Sequence, residues 1–381
     1  MSLGGPIAVV VGTRPEAIKL APVVTELRRR GEQTLLVSTG QHREMLAQSL
    51  AVFGLVPDAE LAVMTPGQGL AELTARTVEG MTSVLVAPRP RWVVVQGDTT
   101  TAFAAALAAS YAKIPVAHVE AGLRSGARYS PFPEEMNRRL IDQLSEKLFA
   151  PTPQARALLT REGFAPASIE VTGNTVVDAL LAARERVRVE PVAIPSLGAA
   201  LAGRRMVLVT AHRRESFGDG LASICHALRA IVEADPTVVV VYPVHLNPNV
   251  DGPVRRILAG APRVVLLPPV SYLQFVHLLD RAHLVLTDSG GVQEEAPTFR
   301  KPLLVMRDVT ERPEGIAAGV ARLVGTRTET IFAATMRLLG DPELYAVMAS
   351  GSNPYGDGFA SRRIVDSLVG TPAEAQSPVA A

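Results

Sequence analysis

The segment Leu286-Thr-Asp-Ser-Gly-Gly-Val-Gln-Glu-Glu-Ala296 joins an apolar run to a glycine turn and an acidic helix start. Ser289, Gly290 and Gly291 leave backbone N–H groups unshielded at a helix N-terminus, where free donors and the helix dipole favour phosphate. Glu294 and Glu295 follow one turn later, and either carboxylate can accept both hydroxyls of a ribose. The pattern suits a nucleoside diphosphate. Taken alone it equally describes a plain strand-turn-helix corner whose acids complement the dipole, so the other charged junctions decide.

Several such junctions exist. Val11-Gly-Thr-Arg-Pro-Glu-Ala-Ile-Lys19 ends an apolar run at Gly12 and opens a helix with Pro15 expected at its first position. Arg14 and Lys19 then add two cations to an N-terminus suited to anions. The segment is neither a G-x-G-x-x-G fingerprint nor a Walker loop. Val95-Gln-Gly-Asp-Thr-Thr-Thr101 sets Asp98 at a helix start, where it serves as a plain N-cap or as a working carboxylate. Ala117-His-Val-Glu-Ala-Gly-Leu-Arg124 reads as an apolar strand ending on Glu120, a carboxylate costly to bury unpaired. Pro133 is expected to open a helix with a core stripe of Met136, Leu140, Leu144 and Leu148, leaving Glu134 and Arg138 one turn apart on another face. His212 and His245 each follow an apolar run, and neither has a second His or Cys at metal-ligand spacing. No metal site and no cofactor are expected. The G-x-S-x-G elbow of sheet hydrolases is also missing.

These groups need elements to hold them. Short β-branched runs at Ile7–Val11, Thr34–Val37, Trp92–Val95, Val116–Val119, Val207–Val209, Val238–Tyr242, Val264–Leu267, Leu284–Leu286 and Leu303–Met306 alternate with amphipathic segments. Such alternation predicts βαβ units and parallel sheets. At 381 residues the chain exceeds a single core, so two doubly wound domains are expected, with ligands in an interdomain cleft at the strand C-terminal ends. Periodicity lapses over 187–205, which carries Pro191, Pro195 and Gly203, and the helix Val176–Arg186 is read as the approach to it. The expected division is a Rossmann-like domain over 1–175, a nucleotide-binding domain over 176–358, a helix over 359–370 crossing back onto the first domain, and a disordered tail over 371–381.

The sole cysteine, Cys225, lies in the apolar pattern Leu221, Ile224, Cys225, Leu228 and is expected in a core, which excludes a disulfide framework. With 38 basic and 37 acidic residues, the chain has no global field for nucleic acid or membrane. No run of 18 apolar residues and no signal-type N-terminus appear, so a soluble cytoplasmic protein is expected.

In order along the chain, these segments resemble the non-hydrolysing UDP-N-acetylglucosamine 2-epimerases of bacterial type, a family of GT-B architecture. The resemblance spans residues 7–369 and includes Gly12–Lys19, Gln41-His-Arg-Glu-Met45, Gly97–Thr101, His118–Arg124, Ser130–Glu135, His212–Ser216, Asp288–Pro297 and Asn353-Pro-Tyr-Gly-Asp-Gly358. It implies reversible inversion at sugar carbon two of UDP-N-acetylglucosamine, giving UDP-N-acetylmannosamine for cell-surface polysaccharide precursors. The implied route eliminates UDP, passes through a glycal and adds UDP back. By the same resemblance, Asp98, Glu120 and Glu134 are the acid–base candidates, Arg138 supports them, and Lys19 and His212 complete the catalytic set. Arg14, Lys19, Ser289, Gly290 and Gly291 would hold the diphosphate, Glu295 the ribose, Phe275 the uracil and Arg312 the nucleotide. A second UDP-N-acetylglucosamine is implied as activator, at Gln41, Gln68, Glu135, Arg213 and His245. Two residues depart from some relatives: Val270 and Glu44 each stand where those carry Gln. A homodimer is the family expectation. Rival readings are a GT-B glycosyltransferase using a UDP-sugar, a hydrolysing epimerase and a non-enzymatic nucleotide-sugar sensor.

Overall fold

The computed structural model describes residues 4–40, 43–65, 67–195 and 197–370, which leaves Gln41 and the 371–381 tail outside the described residues. Among these, thirteen strands form two sheets in which neighbouring strands pair in parallel. They are β1 Ile7–Val11, β2 Thr34–Ser38, β3 Ala59–Glu60, β4 Trp92–Gln96, β5 Val116–Val119, β6 Lys147–Ala150, β7 Ile169–Val171, β8 Arg205–Thr210, β9 Val238–Pro243, β10 Val264–Leu267, β11 Leu284–Thr287, β12 Leu303–Val305 and β13 Ala321–Leu323. The first sheet runs β3-β2-β1-β4-β5-β6-β7 and the second β10-β9-β8-β11-β12-β13. The fold is α/β with two doubly wound parallel sheets.

Two compact units carry these sheets, one of residues up to Ala179 plus those from Tyr355 onward, the other Leu180–Pro354. The chain leaves the first unit inside the helix Thr175–Val189, before the Pro-bearing segment 187–205, because a helix crosses a boundary without losing its own hydrogen bonds. It returns at Tyr355, ahead of the expected residue 359.

In the first unit, strand alternation serves both faces. Ile7, Val9 and Val11 join one core with Leu20, Leu27 and Ile364, while Ala8 and Val10 join another with Met81, Leu85 and Ala105. Period two with both faces apolar is the signature of a sheet covered by helices on each side. The last helix, Ala360–Val369, buries Ile364, Val365 and Leu368 in the first of these cores. Its N-terminus is held by Asp178, whose Oδ1 accepts Ser361 N at 2.8 Å and Ser361 Oγ at 2.6 Å, and whose Oδ2 accepts Ala360 N at 3.3 Å. In the second unit Cys225 is fully buried with Leu221, Ile224 and Leu228, as the apolar pattern anticipates.

Four short strands went unread from the sequence: β3, β6, β7 and β13. Three are only two or three residues long and alternate apolar with charged residues. β6 follows a helix so closely that its Leu148 completes a helical spacing, yet Ser145 is already extended at φ −99 and ψ 136 and ends the helix there. No described helix is long and apolar enough to cross a membrane.

Replacing Asp178 by Ala should leave three donors at the last helix uncapped, a loss of about 1–3 kcal/mol. Amide hydrogen exchange over Ala360–Val369 should then accelerate roughly ten- to hundredfold, and unchanged protection there would remove Asp178 from this role.

Candidate active site

In an open parallel sheet, ligands gather where strand order reverses, beyond the strand C-terminal ends. The first sheet reverses between β1 and β4 and the second between β8 and β11. The candidate residues follow those strands and their neighbours.

In the first unit Gly12 ends β1, and a Cβ there would stand 2.5 Å from Thr39 Oγ1 and 2.6 Å from Thr101 Oγ1, so only glycine lets these segments meet. The helix that follows, Arg14–Arg29, starts at Arg14 with Pro15 second rather than first. Its N-terminus is not open to a ligand as expected. Glu16 folds back, and its Oε2 accepts Gly12 N at 2.7 Å, Thr13 N at 2.6 Å and Thr13 Oγ1 at 3.0 Å, closing a capping box over these donors. Burial pushes the Glu16 carboxyl up, against the hydrogen bonds from Thr99, Gly12 and Thr13. Arg14 is half-buried and makes no ion pair among the described residues.

Lys19, one turn on, reaches the other way to Glu120, with Nζ 2.7 Å from Oε1 and 2.8 Å from Oε2. Glu120 follows β5 with φ at +69, in the left-handed region that non-glycine residues seldom occupy. Gln96 Nε2 and Asn174 Nδ2 also donate to its carboxylate. The strand before it is not wholly apolar. His118 is fully buried, with Nδ1 2.6 Å from Asp142 Oδ1 and Nε2 2.8 Å from the Gly97 carbonyl, and so braces the turn that carries Asp98.

Asp98 is not the N-cap of the next helix; Thr99 is, accepting Ala102 N at 3.0 Å. Asp98 instead pairs through Oδ2 with Arg138 Nη2, while Asn137 Nδ2 donates to its carbonyl at 2.9 Å. Arg138 therefore serves Asp98 and, at 3.4 Å, Glu135, and forms no ion pair with Glu134 among the described residues. The Oε2 atom of Glu134 is buried without a hydrogen-bond partner among the described residues.

The helix carrying these groups, Glu134–Leu144, overturns the expected apolar stripe. It buries Glu135, Asn137, Ile141 and Asp142, whereas Leu140 is exposed and Leu148 belongs to β6. Polar groups replace apolar ones on that face because each has a partner. Asp142 joins His118 to Arg124, whose Nη2 lies 2.7 Å from Asp142 Oδ2. Glu135 accepts Ser125 N at 2.9 Å and Arg139 Nε at 3.1 Å. Burial raises the Glu135 carboxyl, but Ser125, Arg139 and the Arg138 charge outweigh it and leave it below the usual range.

In the second unit the Asp288 carboxylate fills the turn after β11. It is fully buried, and its Oδ2 accepts the backbone N–H groups of His212 and Arg213, both at 2.8 Å. Its Oδ1 has no hydrogen-bond partner among the described residues and lies 3.8 Å from His212 Nδ1. The His212 ring stacks on His245 with centroids 5.6 Å apart. Loss of hydration pulls His212 below its ordinary value; Asp288 opposes this, while His245 and Arg213 add to it. Gly290 begins the helix Gly290–Glu295, and a Cβ there would stand 3.3 Å from Arg213 Nη2 and 3.3 Å from Arg312 Nη1. Two guanidinium groups thus flank the glycine turn. Arg312 also donates from Nε to Glu294 Oε1 at 3.0 Å. Glu295 and Phe275 are both half-buried, on the helices Gly290–Glu295 and Tyr272–Arg281.

The structure thus joins Lys19 to Glu120 and, separately, Asp98 to Arg138 in the first unit. It joins His212, Arg213, His245, Gly290 and Arg312 in the second. Gln68 stands apart from these pairs, its Oε1 accepting Thr65 N at 2.9 Å. Sequence reading missed Glu16, Gln96, His118, Asn174 and Asp288. Only Glu16 carried a local signal, the Thr13-x-x-Glu16 spacing of a capping box.

The sequence profile of the family described as UDP-N-acetylglucosamine 2-epimerase matches residues 25–369. The chain is 51% identical over 367 residues to the UDP-N-acetylglucosamine 2-epimerase of Salmonella typhimurium, covering 95% of this chain and 98% of that one. It is 50% identical over 367 residues to that of Escherichia coli K12, with the same 95% and 98% coverage. Among solved structures, the UDP-GlcNAc 2-epimerase from Neisseria meningitidis bound to UDP-GlcNAc superposes with a TM-score of 0.86 at 44% identity, covering 96% of this chain and 100% of that one.

The raised Glu16 carboxyl carries a stability consequence. The folded protein holds this proton more tightly than the unfolded chain, so the contribution is full below 4.5, the ordinary glutamate value, and is lost as pH rises through the folded value. Stability of the wild type relative to Glu16→Gln, measured by urea unfolding, should fall as pH rises above the ordinary glutamate value, and a difference independent of pH would contradict it.

Proposed function

This chain belongs to the UDP-N-acetylglucosamine 2-epimerase family, and from that premise we propose that it interconverts UDP-N-acetylglucosamine and UDP-N-acetylmannosamine without hydrolysis. The observation that carries the reading is the pairing of carboxylates with cations at the ends of β4 and β5, Asp98 with Arg138 and Glu120 with Lys19.

The hydrogen on sugar carbon two is not beside a carbonyl and is weakly acidic, so direct abstraction faces a high barrier. Elimination lowers it. As the bond from the anomeric carbon to the diphosphate oxygen breaks, that oxygen takes the electron pair. The proton at carbon two passes to a carboxylate, and its electron pair forms the double bond of a glycal. A proton delivered to the opposite face and re-addition of UDP give the inverted sugar. The proton is handled among the carboxylates Asp98, Glu120 and Glu134, with Lys19 holding Glu120 and Arg138 holding Asp98.

Departing UDP gains one negative charge on the oxygen that takes the bonding pair, and the Gly290 turn with the Arg213 and Arg312 guanidinium groups supplies donors for the diphosphate. His212, shifted toward its neutral form, donates an N–H without adding a like charge beside these arginines. Glu295 takes the ribose and Phe275 the uracil. The product feeds cell-surface polysaccharide precursors.

NMR of the protein incubated with UDP-N-acetylglucosamine in deuterated water should show UDP-N-acetylmannosamine carrying deuterium at carbon two. Retained hydrogen there, or accumulation of free N-acetylmannosamine and UDP, would sink the non-hydrolysing elimination. Asp98→Asn should lower turnover roughly 10²–10⁴-fold with UDP affinity preserved, whereas Gly290→Val should weaken UDP in calorimetry.

We extend the reading to activation by a second UDP-N-acetylglucosamine. It draws on Gln68, Glu135, Arg213 and His245, with Gln41 outside the described residues. His245 stacks on His212, and its Nδ1 accepts Asn247 N at 3.1 Å, which leaves Nε2–H to face a ligand. An effector acts only by binding the active state more tightly than the inactive one. Pure UDP-N-acetylmannosamine should therefore react slowly until a trace of UDP-N-acetylglucosamine is added, and forward kinetics should be sigmoidal. Prompt conversion with hyperbolic kinetics would exclude the activator.

A further inference from the structure

Four donor contacts converge on the two oxygens of Glu120. Lys19 Nζ lies 2.7 Å from Oε1 and 2.8 Å from Oε2, Asn174 Nδ2 lies 3.1 Å from Oε1, and Gln96 Nε2 meets Oε2. An ionised carboxylate offers about four lone-pair positions, and here each one faces an N–H. None of these nitrogens can accept, since an ammonium has no lone pair and an amide nitrogen only donates. A proton on Glu120 would point at another donor. The amide orientation of Asn174 is itself fixed, because its Oδ1 accepts Val176 N at 3.0 Å and its backbone N–H is held by Tyr355 O at 2.6 Å. Glu120 therefore has neither a proton to give nor an open position to take one.

The other carboxylates differ. Glu134 Oε2 is buried with no partner among the described residues. Asp98 is tied through Oδ2 to Arg138, while its side chain keeps 30% exposure. The charged group in contact with Glu120 is Lys19 from the helix Arg14–Arg29; β4 and the segment before Thr175–Val189 bring the neutral Gln96 and Asn174. His118, two residues earlier, faces Asp142 and the Gly97 carbonyl instead.

We propose that Gln96 and Asn174 act with Lys19 as positioning residues that hold Glu120 as a fixed anion with no acceptor position left, so that the proton leaving and returning at carbon two passes through Asp98 and Glu134. This rests on the epimerase reading of the same site. One of that pair takes the proton from carbon two as UDP leaves with the carbon–oxygen electron pair. The other, protonated, delivers its proton to the opposite face of the glycal as the UDP oxygen rebonds to the anomeric carbon. One turnover thus moves a proton from one carboxyl to the other, and exchange with water restores the starting state. Glu120 stays unchanged throughout and fixes the Lys19 ammonium and the left-handed turn after β5.

The test compares kcat–pH profiles of the wild type, Glu120→Gln, Asp98→Asn and Glu134→Gln with UDP-N-acetylglucosamine. Glu120→Gln should lower kcat at every pH yet keep both limbs of the wild-type profile, while Asp98→Asn and Glu134→Gln should each lose one limb. Loss of a limb in Glu120→Gln, with both retained in the other two, overturns the proposal. Asn174→Ala and Gln96→Met should each lower kcat roughly ten- to hundredfold by misplacing the anchor, with KM for the sugar nucleotide little changed; wild-type kcat in both would also overturn it. An inactive wild type sinks the epimerase reading alone.

Discussion

The ion pair between Lys19 and Glu120 is the constraint around which the first unit is arranged. A carboxylate buried where parallel strands end is stabilised when donors meet its oxygens, and removing one partner of such a pair is costly. Lys19 comes from the helix after β1, Gln96 from the end of β4 and Asn174 from just before the helix Thr175–Val189. Satisfying one carboxylate therefore fixes three separate segments relative to β5. The same demand explains the positive φ at Glu120, since the left-handed turn aims its side chain at those donors.

The second unit solves the same problem differently. Asp288 is as deeply buried, but its bonded oxygen takes two backbone N–H groups rather than a cation. The arginines beside Gly290 pair with other carboxylates instead, Arg312 with Glu294 at 3.0 Å and Arg213 with Glu215 and Glu311 at 3.7 Å. Under the proposed elimination, proton transfer at the sugar and charge development on the phosphate are separate tasks, the first assigned to carboxylates of one unit and the second to donors of the other.

Behind both tasks stands a buried polar layer. His118, Asp142 and Arg124 form a chain that supports the Gly97 carbonyl from beneath, so the turn bearing Asp98 rests on hydrogen bonds and not on apolar packing. Such networks tolerate little displacement, since a lost bond strands a buried charge. A helix face with Glu135, Asn137 and Asp142 inward is the visible consequence.

The strand runs, the two doubly wound sheets and the buried Cys225 were legible in the sequence, because β-branched periodicity and glycine punctuation are local properties of neighbouring residues. So was the placement of charged residues at strand ends. What tertiary structure alone decided is which charges meet. Arg138 chose Asp98 over Glu134, Glu16 and not a ligand closed the first helix start, and a stripe expected to be apolar turned out polar. The partners of Glu120 lie 24, 54 and 101 residues away along the chain. No local pattern encodes such pairings, because the low dielectric that makes them decisive exists only once the chain has folded around them.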